Sequence, residues 1–119
     1  MSVSVVIPVF NAYRHIKTLK KSLENNSEFI DEVIMINDGC TDDFSNIVRS
    51  IKDLESIDLV IAQTDSEKGA GPARNIGIDM ARSKYIAFFD CDDFWDEGSL
   101  GSRLDYLKQN PKASFLYSS

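Results

Sequence analysis

The chain has 119 residues, 43% hydrophobic and 27% charged, which suits one domain, residues 1–119, with a modest core. Its net charge of −6 excludes nucleic-acid binding through a broad basic surface, so an anionic ligand has to be met by local features. Cys40 and Cys91 lie too far apart to imply a disulfide framework and favour a reducing compartment; no run approaches the ~20 apolar residues that span a bilayer, and residues 3–7 are too short for a signal peptide.

Residues 3–7, a β-branched run stopped by Pro8, predict a central strand. Asn11 is placed to cap a following helix with Tyr13, Ile16, Leu19 and Leu23 as its apolar stripe. Lys17, Lys20, Lys21 and Glu24 read as solvated, and His15 on this helix is given no role. Asn25-Asn26-Ser27 breaks the helix. Residues 32–36 predict a second strand, ending in Asn37-Asp38-Gly39-Cys40-Thr41-Asp42-Asp43, where Asp-Gly signals a turn. Thr41 can cap a second helix carrying Phe44, Ile47, Val48, Ile51 and Leu54, with Asp42 and Asp43 suited to its first turn. Residues 57–62 predict a third strand. Lys68-Gly69-Ala70-Gly71-Pro72-Ala73-Arg74-Asn75 is a glycine-containing loop leading into a helix with Pro72 near its start. Ala73, Ile76, Met80 and Ala81 give that helix a narrow buried face, and Gly77 permits close packing. Residues 85–89 predict a fourth strand, Leu100, Leu104 and Leu107 a last helix stopped before Pro111, and residues 113–117 the start of another strand.

Strands alternating with helices predict a three-layer α/β/α domain with a mostly parallel sheet. Such sheets bind ligands outside the carboxyl ends of their strands. Asn11, Asp38, Arg74 and the cluster Asp90, Asp92 and Asp93 all lie just past predicted strand ends. In an extended chain Asp90 and Asp92 point the same way, with Asp93 close by. Like charges so placed call for a compensating hard cation, Mg²⁺ or Mn²⁺; the other reading is an acidic turn capping the next helix. Phe10 offers a ring for stacking on a base, or for core packing. Asp38 can accept from a base or a ribose hydroxyl, or shape the turn beside Gly39. A cation at Arg74, in a first helical turn, opposes the macrodipole by ~0.3–1 kcal/mol unless an anion sits beside it. The alternatives are a bound phosphate and a nearby Asp. Lys68 and the glycines can help hold a phosphate, although the loop is not a Walker A sequence. Trp95 lines a sugar site or packs.

Residues 3–11, Ile36-Asn37-Asp38-Gly39-Cys40-Thr41-Asp42, Gly71-Pro72-Ala73-Arg74-Asn75-Ile76-Gly77 and Phe89-Asp90-Cys91-Asp92-Asp93 resemble, in order and spacing, the family 2 glycosyltransferases of the GT-A fold. The resemblance covers almost the whole chain. It implies strand order 3-2-1-4 with a nucleotide-sugar donor across the strand ends. It implies nucleotide contacts at Pro8, Phe10, Asn11, Asp38, Arg74 and Asp90, and Mn²⁺ or Mg²⁺ held by Asp92 and Asp93. Asn37 stands where Asp is usual and Cys40 where Ser is usual, both beside the base site. The implied reaction is inverting transfer from a UDP-sugar to an acceptor hydroxyl on a saccharide, a lipid-linked saccharide or a protein. Family members continue into an acceptor half with a general-base carboxylate, so the base is expected beyond Ser119, with Glu97 read as the start of the last helix. The resemblance also implies a cytoplasmic setting, at the inner face of a membrane for the whole protein. Phe115, Leu116 and Tyr117 would begin an exposed edge able to pair into a homodimer. Two alternatives from the residues are a receiver-type signalling module, which expects an acidic pair after the first strand, and a phosphohydrolase with Asp90 as nucleophile, which expects its DxD there.

Overall fold

β-branched residues dominate Val3–Val9, and all but Pro8 in this run are buried, because β1 (Val3–Val9) runs through the middle of a sheet covered on both faces. The computed structural model describes residues 3–41, 44–65 and 69–110, and the backbone of 115–117; Asp42, Asp43 and Lys68 lie outside the described residues. The sheet continues with β2 (Glu32–Asn37), β3 (Asp58–Gln63), β4 (Tyr85–Phe88) and β5 (Phe115–Tyr117), in the order β3-β2-β1-β4-β5, every pair parallel. The expected 3-2-1-4 order is therefore present, with β5 added outside β4.

Alternate residues of β1 feed two cores. Val3, Val5, Ile7 and Val9 pack beneath α1 (Ile16–Asn25), α2 (Phe44–Lys52) and α4 (Ser99–Gln109), through Leu19, Leu23, Ile47, Ile51, Leu100 and Leu104. Val6 faces the other way, with Ile34, Ile36 and Phe88, under α3 (Ala70–Met80). Helix α3 sits very close: a Cβ on Gly77 would come within 2.2 Å of Val6 Cγ1. This is the close packing expected of Gly77.

Pro8 does not stop β1. It pairs with Ile36 of β2, and β1 runs on to Val9. The β4 pairing ends earlier, at Val6 with Phe88. Pro8 sits past that point, with its carbonyl turned to the β4 side, where it accepts from Cys91 Sγ at 3.6 Å. The N–H that proline lacks therefore has no ladder partner to lose. On the other flank Val9 O accepts from Asp38 N–H at 2.9 Å and from Cys40 Sγ at 3.1 Å. Neither cysteine is in a disulfide.

Two polar fixtures set the ends of the layers. At the amino ends of the strands, Glu32 is buried and accepts from Ser4 Oγ, from Arg82 N–H at 2.7 Å and from Arg82 Nε at 3.1 Å. Burial raises its pKa, but the bonds from Ser4 and Arg82 outweigh burial and hold it below the ordinary glutamate value. At the other fixture Asn26, fully buried, donates to Asp96 O and accepts from Leu100 N–H, both at 3.0 Å, while Ser22 Oγ accepts from Trp95 N–H at 2.9 Å. These bonds pin the segment after the aspartate cluster onto the end of α1. Among the described residues no helix is long and apolar enough to cross a membrane.

Candidate functional site

The carboxyl ends of β1, β2 and β4 open onto a cavity of about 460 Å³, closed on one side by the start of α3. Pro8, Phe10 and Asn11 line it from the exit of β1, and Asp38 from the exit of β2. Gly69 and Ala70 contribute the helix start; Asp90, Cys91 and Asp92 contribute the exit of β4. Phe10 is 63% exposed, so its ring stands on the cavity and not in the core.

Asn11 does not cap a helix. Its backbone takes a left-handed φ of 48°, which Asn tolerates better than most residues. Its Oδ1 accepts from Thr41 N–H at 2.8 Å and from Thr41 Oγ1 at 3.3 Å. The side chain thus ties the β1 exit to the β2 exit, and the Thr41 hydroxyl is engaged there. A 3₁₀ turn, Tyr13–His15, intervenes before α1. That turn brings Arg14 and His15 onto the cavity wall, with Arg14 Nε donating to His15 Nε2 at 3.2 Å. Placing His15 on the helix with no role missed this placement; its nearness to the strand exit at Asn11 was the usable signal.

Asp38 is buried yet reaches the cavity. Its Oδ1 accepts from Thr64 Oγ1 at 3.0 Å and from Gly69 N–H at 2.9 Å, and Oδ2 shares the Gly69 N–H at 3.0 Å. Gly69 has a φ of 119°, where a side chain would be strained, and directly precedes α3. The Asp38 carboxylate is therefore the anion at the positive end of α3.

Arg74 lies in the second turn of α3, which begins at Ala70, and not in the first. Its Nη2 donates to Asp90 Oδ1 at 3.1 Å. Arg74 is not on the cavity wall and reaches the site through Asp90; its buried Nε has no hydrogen-bond partner among the described residues. A carboxylate, that of Asp90, thus stands beside Arg74, as one of the two expectations had it.

The aspartate cluster is not extended. β4 ends at Phe88, and Asp93 N–H donates to Asp90 O at 2.9 Å, closing a turn over residues 90–93. The two-residue alternation of a strand does not carry past Phe88. Asp90 and Asp92 nevertheless share the cavity, while Asp93 is off the wall with a buried Oδ2 that has no partner among the described residues. Among the described residues no three acidic, histidine or cysteine side chains form a metal cage. The arrangement fits a magnesium-like ion all the same, because such ions take one or two carboxylates and draw their other ligands from phosphates and water. Asp92, exposed on the wall, is the available carboxylate.

Trp95 packs: it is 1% exposed, and its ring meets Phe89 edge-on at 4.7 Å. Glu97 lines a separate cleft with Lys21 and Glu28 and takes no part in the cavity.

A parallel α/β sheet with strands in this order is the core of the GT-A fold, which the solved structure below shares. The family model for glycosyl transferase family 2 matches residues 4–119, and the chain belongs to that family. It is 32% identical to UDP-Glc:alpha-D-GlcNAc-diphosphoundecaprenol beta-1,3-glucosyltransferase WfaP of Escherichia coli, covering 98% of this chain and 45% of WfaP. It is likewise 32% identical to the putative teichuronic acid biosynthesis glycosyltransferase TuaG of Bacillus subtilis, covering 90% of this chain and 42% of TuaG. Among solved structures, S. aureus TarS 1-349 in complex with UDP-GlcNAc superposes with a TM-score of 0.77 at 26% identity, over 92% of this chain and 32% of that one. The chain spans less than half the length of these relatives.

Proposed function

We propose that this chain is the donor-binding part of a glycosyltransferase. It binds a UDP-sugar with Mn²⁺ or Mg²⁺ and serves inverting transfer of the sugar to an acceptor hydroxyl. The observation that carries the reading is the single cavity that gathers Phe10, Asp38, Asp90 and Asp92 from three separate strand exits. A UDP-sugar is supported by the donor in WfaP's name and by the ligand bound to TarS. Inversion is supported by the family resemblance.

In this reading Phe10 stacks on the uracil and Asp38 accepts from a base N–H. Asp90, steadied by Arg74, accepts from the ribose, and Asp92 faces the diphosphate. Asp92 would hold the cation, which when bound screens the diphosphate charge and favours departure of UDP. The acceptor hydroxyl needs a proton acceptor within ~2.6–3.2 Å. Asp38 and Asp90 already carry partners and Glu97 lies elsewhere, so the proposal places that base outside the described cavity wall. The receiver and phosphohydrolase alternatives have no counterpart in the family match. Self-association through the β5 edge belongs to the same proposal, and a monomer by sedimentation at high concentration would overturn it.

Isothermal calorimetry of UDP with Mn²⁺ and with EDTA tests the central reading. The expected result is binding that EDTA weakens by at least about tenfold, or about 1.4 kcal/mol. Equal affinity in both would remove the metal, and no binding in either would remove the donor.

A further inference from the structure

We propose that Thr64 is a positioning residue for base recognition, acting through Asp38 and touching no ligand. The proposal rests on the reading of Asp38 as the contact to the base. Thr64 is the first residue past β3, is 8% exposed and is not on the cavity wall. Its N–H donates to Asn37 O at 3.1 Å, which continues the β2–β3 ladder by one step and fixes its backbone beside Asp38. Its Oγ1 donates to Asp38 Oδ1 at 3.0 Å.

An aspartate carboxylate turns easily about χ2. A base N–H needs an acceptor oxygen held near the plane of its lone pairs. Two donors fix the carboxylate here, the Thr64 hydroxyl and the Gly69 amide. They crowd onto Oδ1, whereas Oδ2 has only a share of the Gly69 amide among the described residues. Oδ2 is therefore the oxygen left with capacity for a ligand. Both donors are held by regular structure: Gly69 caps α3, its carbonyl accepting from Ala73 N–H at 3.1 Å, and Thr64 is anchored to the sheet. Valine has nearly the shape of threonine and cannot donate. Serine can donate.

The test compares Thr64→Val, Thr64→Ser and Asp38→Ala for binding of UDP and of inorganic pyrophosphate, each with Mn²⁺. Thr64→Val is expected to weaken UDP about tenfold, about 1.4 kcal/mol, near the lower edge for a hydrogen bond to a charged group. Pyrophosphate affinity is expected to stay unchanged, and Thr64→Ser to restore UDP. Should Thr64→Val fail to fold, Thr64→Ala carries the same expectations. If Asp38→Ala weakens UDP and Thr64→Val does not, the Thr64 proposal is overturned while the reading of Asp38 stands. If Asp38→Ala leaves UDP unchanged, that reading falls first. Equal loss of both ligands in Thr64→Val, or no rescue by Ser, makes Thr64 a structural residue only.

Discussion

Asp92 stands exposed on the cavity wall, whereas Asp38 and Asp90 carry partners. A charge left open in this way gains most from a cation. Asp92→Asn is expected to lower UDP affinity in Mn²⁺ to the level seen in EDTA, and to make EDTA without further effect; a variant that keeps its metal response would exclude Asp92 as ligand. Arg74 makes a different prediction because it acts through Asp90. Arg74→Ala and Asp90→Asn should each weaken UDP, and the double variant should be no weaker than Asp90→Asn alone, as partners in one pair are non-additive. Additive losses in a double-mutant cycle would mean that Arg74 meets the ligand itself. Asp38 and Asp90 were legible in the sequence because each is an acidic residue just past an apolar run, whereas Phe10 continues its run and was assigned a ligand contact only through the family resemblance. Thr64 was not, since one threonine after a strand makes no pattern until Asp38 is seen beside it. Arg14 was hidden by a 3₁₀ turn that helical spacing does not anticipate.

Helix α3 owes its depth on the sheet to one missing side chain. Val6, the residue beneath Gly77, is β-branched and fixed in a central strand, so it cannot yield. Gly77→Ala is expected to destabilise the fold by ~1–3 kcal/mol through overpacking, despite alanine's better helix propensity. Urea denaturation reads this out, and a stabilised variant would show that the layer gives way. At the amino ends of the strands, Glu32 joins β1, β2 and the end of α3. Its pKa is held below the ordinary 4.5, so the folded state favours the ionised form. That stabilisation is fully present above about pH 4.5 and is lost as pH falls through the lowered value. Glu32→Gln should therefore be less stable than the parent at neutral pH, with the gap closing in acid. A gap independent of pH would mean that its charge contributes nothing. At this scale the strands and buried helix faces were legible from periodicity and β-branching. The turn over residues 90–93 was not, because a strand's alternation says nothing about where it stops, and Pro8 misled because a missing N–H matters only where a neighbouring strand is present.

The whole molecule has a working end and a tied end. The exits of β1, β2 and β4 and the start of α3 meet at the cavity, while the Glu32 bonds close the opposite ends of the strands. UDP with Mn²⁺ should slow hydrogen exchange in residues 10–15, 38–41, 69–71 and 90–93 together, leaving residues 30–33 and 82–84 unchanged. Protection confined to one of the four segments would contradict a shared cavity. The order of strands followed from the family resemblance, whereas alternation alone gave only the layers. The separation of the wall into distant stretches of sequence has a consequence for synthesis. A ribosome delivers β1, β2 and β3 before β4. Until Tyr85–Phe88 emerges, the strand that ends at the heart of the finished sheet has one flank bare. The most buried strand is thus, for much of elongation, an open edge exposed to chaperones and to neighbouring nascent chains. Ligand offers no early rescue, because the wall lacks Asp90 and Asp92 until the same moment. Nascent chains stalled before and after β4 should differ abruptly in both protease resistance and UDP binding.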